Sequence, residues 1–127
     1  MRTVLLSLIL LLIPQAGYTQ TAPITVKLRT GSDWMLSCGK NPFDRTGWTQ
    51  ADYMSLAFCS GHIEGFSSAA ELLELPQNLR ACFDPGVSRG EIQAVVTKHL
   101  NDHPSQLHED LRTVFIAALS TNYPCKR

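Results

Sequence analysis

The 127 residues contain no basic run longer than the closing Lys126–Arg127 pair, and lysine plus arginine match aspartate plus glutamate at 11 each. Nucleic-acid binding rests on a clustered positive surface that displaces counterions from phosphates. Nothing in this charge pattern supplies one. No two cysteines stand at the two-residue spacing of a zinc or thiol-redox site. The one Gly-x-Ser-x-Gly string, Gly86 to Gly90, has its serine, Ser88, in a helix-capping box, and no glutamate directly follows the first of two helically spaced histidines, as a zinc protease requires. These absences remove the usual grounds for proposing an enzyme, a metal site or a cofactor.

Long apolar runs are also scarce. One occurs, Val4–Pro14, behind the single early charge of Arg2 and ahead of the polar stretch "QAGYTQTA". That order of charged, apolar and polar segments is that of a secretory signal peptide. The run is shorter than the roughly 20 residues a bilayer-spanning helix needs. The expected organisation is a leader over residues 1–20 and one domain over 21–127, with no membrane segment left after cleavage. Without Arg2 the chain carries ten basic residues against eleven acidic, a nearly neutral surface.

The four cysteines, Cys38, Cys59, Cys82 and Cys125, all lie in the exported part. An even number in an oxidising compartment predicts two disulfides. In a domain of about 105 residues such staples supplement a core that is marginal by itself.

The chain reads as helices separated by turn-rich loops. Residues 22–31 form a lead-in strand or arm, and a short helix follows, capped by Ser32 or Asp33 and ending near Cys38. Thr49 caps a longer helix carrying Tyr53, Leu56, Ala57, Ile63, Phe66, Ala70 and Leu73 at helical spacing, up to a stop at Pro76. Within it "FCSGHIEGF" places Gly61 and Gly65 on one side. A mid-helix glycine costs about 1 kcal/mol relative to alanine, so the pair predicts close packing of another backbone. His62 and Glu64 fall on different faces, and their expected role is contact with a partner.

The strongest local signal is "VSRGEIQAVVTKHL". Ser88 and Glu91 form a capping box, Val87 and Ile92 a hydrophobic staple, and Ile92, Val95, Val96 and Leu100 a buried stripe. Pro104 ends that helix. Ser105 is the expected cap of a last helix with Leu107, Leu111, Val114, Phe115, Ala118 and Leu119 on its apolar face. The short connection makes the two helices antiparallel neighbours. Cys82 and Cys125 then meet at one end of the hairpin, which leaves Cys38 to pair with Cys59. The fold class is thus all-α, a small disulfide-stapled bundle of about four helices.

Read in order, "CSGHIEGF", "CFDPGVSRGEIQAVVTKHLNDHP" and "AALSTNYPC" resemble the Rap/Tai family of type VI secretion immunity proteins, from about Cys38 to Cys125. His62 and His99 stand where that family commonly has tyrosine. The resemblance implies a periplasmic, all-helical, disulfide-bonded domain, often a homodimer, that performs no chemistry. It would bind a peptidoglycan amidase effector and plug its substrate cleft. Exposed loops on a rigid body are the natural contacts. Those nominated are the hairpin tip, with Asp102, His103, Ser105, Gln106 and His108, and the loop carrying Gln77, Asn78 and Arg80. Two other readings compete: an acid-stress chaperone whose four histidines gain charge near pH 6.5, and a small hydrolase using His99, Asp102 and His103.

Overall fold

A computed structural model describes residues 26–126; the leader assigned to residues 1–20 lies outside them. Four α-helices make the domain: α1 (Gly31–Cys38), α2 (Gln50–Leu72), α3 (Arg89–Asp102) and α4 (Leu111–Asn122). Short 3-10 turns, Gln77–Leu79 and Pro104–His108, precede α3 and α4. There is no strand among the described residues. Two isolated bridges, Thr30 with Asp110 and Ala81 with Pro124, are the extended pairings.

Reciprocal caps begin three of the helices. Ser88 and Glu91 open α3 and Thr49 caps α2, as the sequence predicts, and Asp52 completes a second capping box by accepting from the Thr49 amide. At α1 the cap is Thr30 rather than Ser32 or Asp33. Thr30 Oγ1 accepts from the Asp33 amide at 3.2 Å, and Asp33 accepts from the Thr30 and Arg29 amides. Ser32 instead donates to the Leu107 carbonyl at 3.0 Å, tying α1 to the second 3-10 turn.

The arm ahead of α1 also explains a second correction. Ser105 does not cap the last helix; it sits within the Pro104–His108 turn, and Asp110 caps α4 by accepting from the Arg112 amide. The Gly31 amide donates to the Glu109 carbonyl, and the Leu111 amide to the Arg29 carbonyl at 2.8 Å. These bonds hold Glu109 and Asp110 extended, so α4 begins only at Leu111. Gly31 is buried under this crossing, where a Cβ would lie 2.7 Å from Leu100 Cδ2 and 2.8 Å from the Gln106 carbonyl oxygen. Glycine is required there by space.

The core gathers Trp34, Ile63, Ile92, Val96, Leu100, Leu111, Val114, Phe115, Ala118 and Leu119 around the disulfide of Cys38 and Cys59. Phe115 is its hub: Trp34 meets it edge-on at 5.0 Å between ring centroids, and Phe66 lies at 4.9 Å. The Trp34 indole N–H reaches Thr97 Oγ1 at 3.1 Å, so burial of the ring leaves no donor unpaired.

Gln93 is a buried polar residue the sequence reading did not single out. Its Nε2 donates to the carbonyls of Cys38, at 2.8 Å, and Lys40, at 3.2 Å, satisfying acceptors left free where α1 ends. Lys40 in turn pairs with Asp52 at 2.6 Å. That bond, with the Thr49 amide, draws the Asp52 carboxyl down to about 2.

Both disulfides pair as expected, Cys38 with Cys59 and Cys82 with Cys125, closing separations of 21 and 43 residues. On the chain-entropy account loops of these lengths contribute about 3 and about 4 kcal/mol.

Candidate partner-binding surface

α2 departs furthest from its sequence reading. It ends at Leu72 rather than running to Pro76, and its fully buried residues are Cys59 and Ile63. Leu56, Phe66 and Ala70 are half-buried, while Tyr53 and Leu73 are exposed. A Cβ added at Gly61 or Gly65 would meet nothing within 4 Å. The close packing expected of these glycines is therefore absent from the fold. They point outward, in a row with Met54, Phe58, Ala69 and Leu72, all exposed. Those positions recur at intervals of three and four, so they share one face. The face carries no charge, and Leu72 is 85% exposed.

His62 turns inward from that row. Its ring packs at 5.4 Å against Phe115 and at 6.4 Å from Trp34, and this burial lowers its pKa from the ordinary histidine value. Glu64 pairs with Arg89 of α3 at 2.6 Å. Both side chains have work within the domain, His62 as core filling and Glu64 as a surface tie.

The nominated contact residues fall into two places. Asp102, His103, Ser105, Gln106 and His108 lie at the turn between α3 and α4. Gln77, Asn78 and Arg80 lie beside Pro124 and the disulfide cysteine Cys125, at the opposite end of the α3–α4 hairpin. The twelve residues of α4 separate them by about 18 Å. A partner must therefore be large to touch both.

At the tip most polar groups serve the turn. His103 Nδ1 donates to the His99 carbonyl at 2.9 Å, and the two imidazoles stack 4.4 Å apart. His99 Nε2 lies 3.0 Å from Gln106 Oε1. Asp102 pairs with Lys98, which holds its carboxyl below the usual range. Ser105 and His108 are exposed. Among the described residues no three histidine, cysteine, aspartate or glutamate side chains are placed to share a metal ion.

At the other end the surface is more apolar. A groove of about 510 Å³ runs between the C-terminal turn of α2, the segment through Leu79 to Phe83, and α4. Phe66, Ala70 and Leu119 line its inner side, and Leu73, Leu79 and Phe83 remain exposed at its edge. Glu71 and Glu74 stand at its mouth, and neither forms an ion pair among the described residues. The Arg80 Nε–H is engaged with the Leu75 carbonyl, which folds the loop back on itself. The sequence signal for this groove is "LLELP", which places two consecutive leucines where the helix stops.

A match to the family of Rap1a immunity proteins spans residues 30–125, from the cap of α1 to the last cysteine. The chain belongs to the Rap1a immunity protein family. No curated protein and no solved structure matches it. An immunity protein acts by binding a toxin effector, and the exposed apolar features of this Rap1a protein are surfaces open to such a contact. Those features include the outward face of α2 and the groove at its end, neither of which holds any of the histidines, with Leu36 and Phe43 exposed singly elsewhere. No helix among the described residues is long and apolar enough to cross a membrane.

Proposed function

We propose that this Rap1a immunity protein is exported, loses a leader of about twenty residues, and acts in the periplasm on a peptidoglycan amidase effector of a type VI secretion system. Inhibition is steric: a rigid helical body occupies the amidase's substrate cleft and makes or breaks no bond itself. The observation that carries this reading is the family match over residues 30–125, laid on a domain whose four cysteines are all disulfide-bonded. Such bonds suit an oxidising compartment.

Of the nominated contacts, Gln77, Asn78 and Arg80 are favoured over the hairpin tip because exposed apolar side chains adjoin them. Interface energy concentrates where apolar anchors enter such surfaces. Asp102, His103, Ser105, Gln106 and His108 then form an outer contact. The chain also pairs with a second copy of itself. The uncharged outward face of α2 supports this, since Gly61 and Gly65 let a neighbouring helix approach closely between Met54, Phe58 and Leu72.

Calorimetric titration of the oxidised protein into an amidase effector encoded beside it, with peptidoglycan hydrolysis followed in parallel, tests the reading. One-to-one binding with matching loss of hydrolysis is expected. Failure to bind any such amidase would sink it.

A further inference from the structure

The groove at the end of α2 combines two features that specify its occupant. Its walls are apolar, from Phe66, Ala70, Leu79, Phe83 and Leu119, and its volume of about 510 Å³ falls within the range of about 300–1,000 Å³ typical of sites that take a whole small ligand. Its lining also carries the carboxylates of Glu71 and Glu74, neither of which forms an ion pair among the described residues, and one basic group, Arg80, whose Nε–H is turned to the Leu75 carbonyl, so the rim is acidic by one charge. Interface anchors that fill pockets are most often aromatic side chains and arginine. An apolar slot with an acidic rim is complementary to those two together.

We infer that this groove receives an aromatic or long aliphatic side chain of the effector, presented beside a lysine or arginine that meets Glu71 and Glu74. The inference rests on the immunity reading above and adds the chemistry of the effector segment. A second copy of the chain is a poor occupant. The outward row of α2 includes Leu72, whereas the groove is lined by Leu73, and consecutive helical residues point about 100° apart. Pairing through the outward row leaves the groove open.

The test measures binding of the oxidised protein and three variants to the effector amidase, at low and high salt. Glu71→Lys with Glu74→Lys is expected to weaken binding about tenfold or more at low salt, and to lose less, or recover, at high salt, because like charges then face each other across the rim and salt screens their repulsion. Leu79→Glu, which puts a charge at the groove edge, is expected to weaken binding at both salt concentrations. Thr46→Ala, exposed in the loop ahead of α2 and a helix length from the groove, is expected to change it less than about threefold. Hydrogen exchange on the unsubstituted complex gives a readout that no misfolded variant can confuse, with new protection expected across residues 70–83.

Undiminished binding by the charge-reversed and Leu79 variants, or no added protection at 70–83, would overturn the groove while leaving immunity standing. Self-association abolished by the Glu71 and Glu74 reversals would overturn it in favour of a second copy. Absence of any amidase binding by the unsubstituted protein would remove both readings together.

Discussion

α4 and α2 use their residues in opposite ways. Five of the twelve residues of α4 are buried, and Phe115 among them touches rings from both α1 and α2. α2 has twenty-three residues and buries two, one of which is a disulfide cysteine. It is fastened at discrete points: the Cys38–Cys59 bond, Ile63, the half-buried rings of His62 and Phe66, and the Glu64–Arg89 pair. Between them the helix turns an uncharged apolar row to solvent. Of the two, α4 therefore carries most of the burial and α2 most of the surface. For a protein whose role is to be bound, that division lets the exposed face be apolar without endangering the fold.

The sharpest way to break the contrast is at its hub. Phe115→Ala should lower stability to urea by about 3–5 kcal/mol, the range for emptying a buried aromatic site. Phe58→Ala, half exposed on α2, should change it by less than about 0.5 kcal/mol. Comparable losses for the two would show that α2 is not the lightly held element described.

Next in size is the link between α3 and the end of α1. Gln93→Ala should cost about 1–3 kcal/mol, because it strips the donor from carbonyls that burial shields from water. Chemical denaturation of the oxidised protein reads this directly, and a loss under about 0.5 kcal/mol would mean that water replaces the amide.

The outward row is sharpened by replacing Gly61 and Gly65 with alanine. In an isolated chain each added methyl occupies open space, so helix propensity should raise stability by up to about 1 kcal/mol per site. The same methyls would hold a second helix away, so sedimentation should show weaker pairing as thermal stability of the monomer rises. Gain of stability with unchanged pairing would move any dimer contact off this face.

The smallest effect concerns His62. Its pKa is lowered in the folded state by burial against Phe115 and Trp34, so the unfolded chain binds the proton more readily. Stability from this site is full above the unfolded value near 6.5 and is lost as pH falls through the lower folded value. His62→Phe should therefore flatten the decline in melting temperature as pH falls below about 6.5. An unaltered profile would place the acid sensitivity elsewhere.

The legibility of these features in the sequence follows how local they are. The Ser88–Glu91 cap needs only neighbours in the chain, and the cysteine pairing needs only a helical hairpin of the right length. Ser105 misleads because the alternative cap, Asp110, is selected by hydrogen bonds from an arm eighty residues away in sequence. Gly61 and Gly65 mislead because glycine reports a missing side chain and says nothing of which side the space faces. Gln93 looks like an ordinary polar helix position until the end of α1 is set against it. The loop Gln77–Arg80 is legible as exposed, but the groove beside it exists only once the end of α2 lies across α4.

The two disulfides close loops that follow one another along the chain, 38 to 59 and then 82 to 125, and neither encloses or crosses the other. Under the export proposed above, in which the polypeptide threads through a membrane from its N-terminus, each cysteine's correct mate is simply the next or the previous one to emerge. An oxidant that joins thiols in order of arrival yields the native set at the first attempt, with no thiol exchange needed to repair it. On that reading, a protector built this way is complete within moments of leaving the translocation channel.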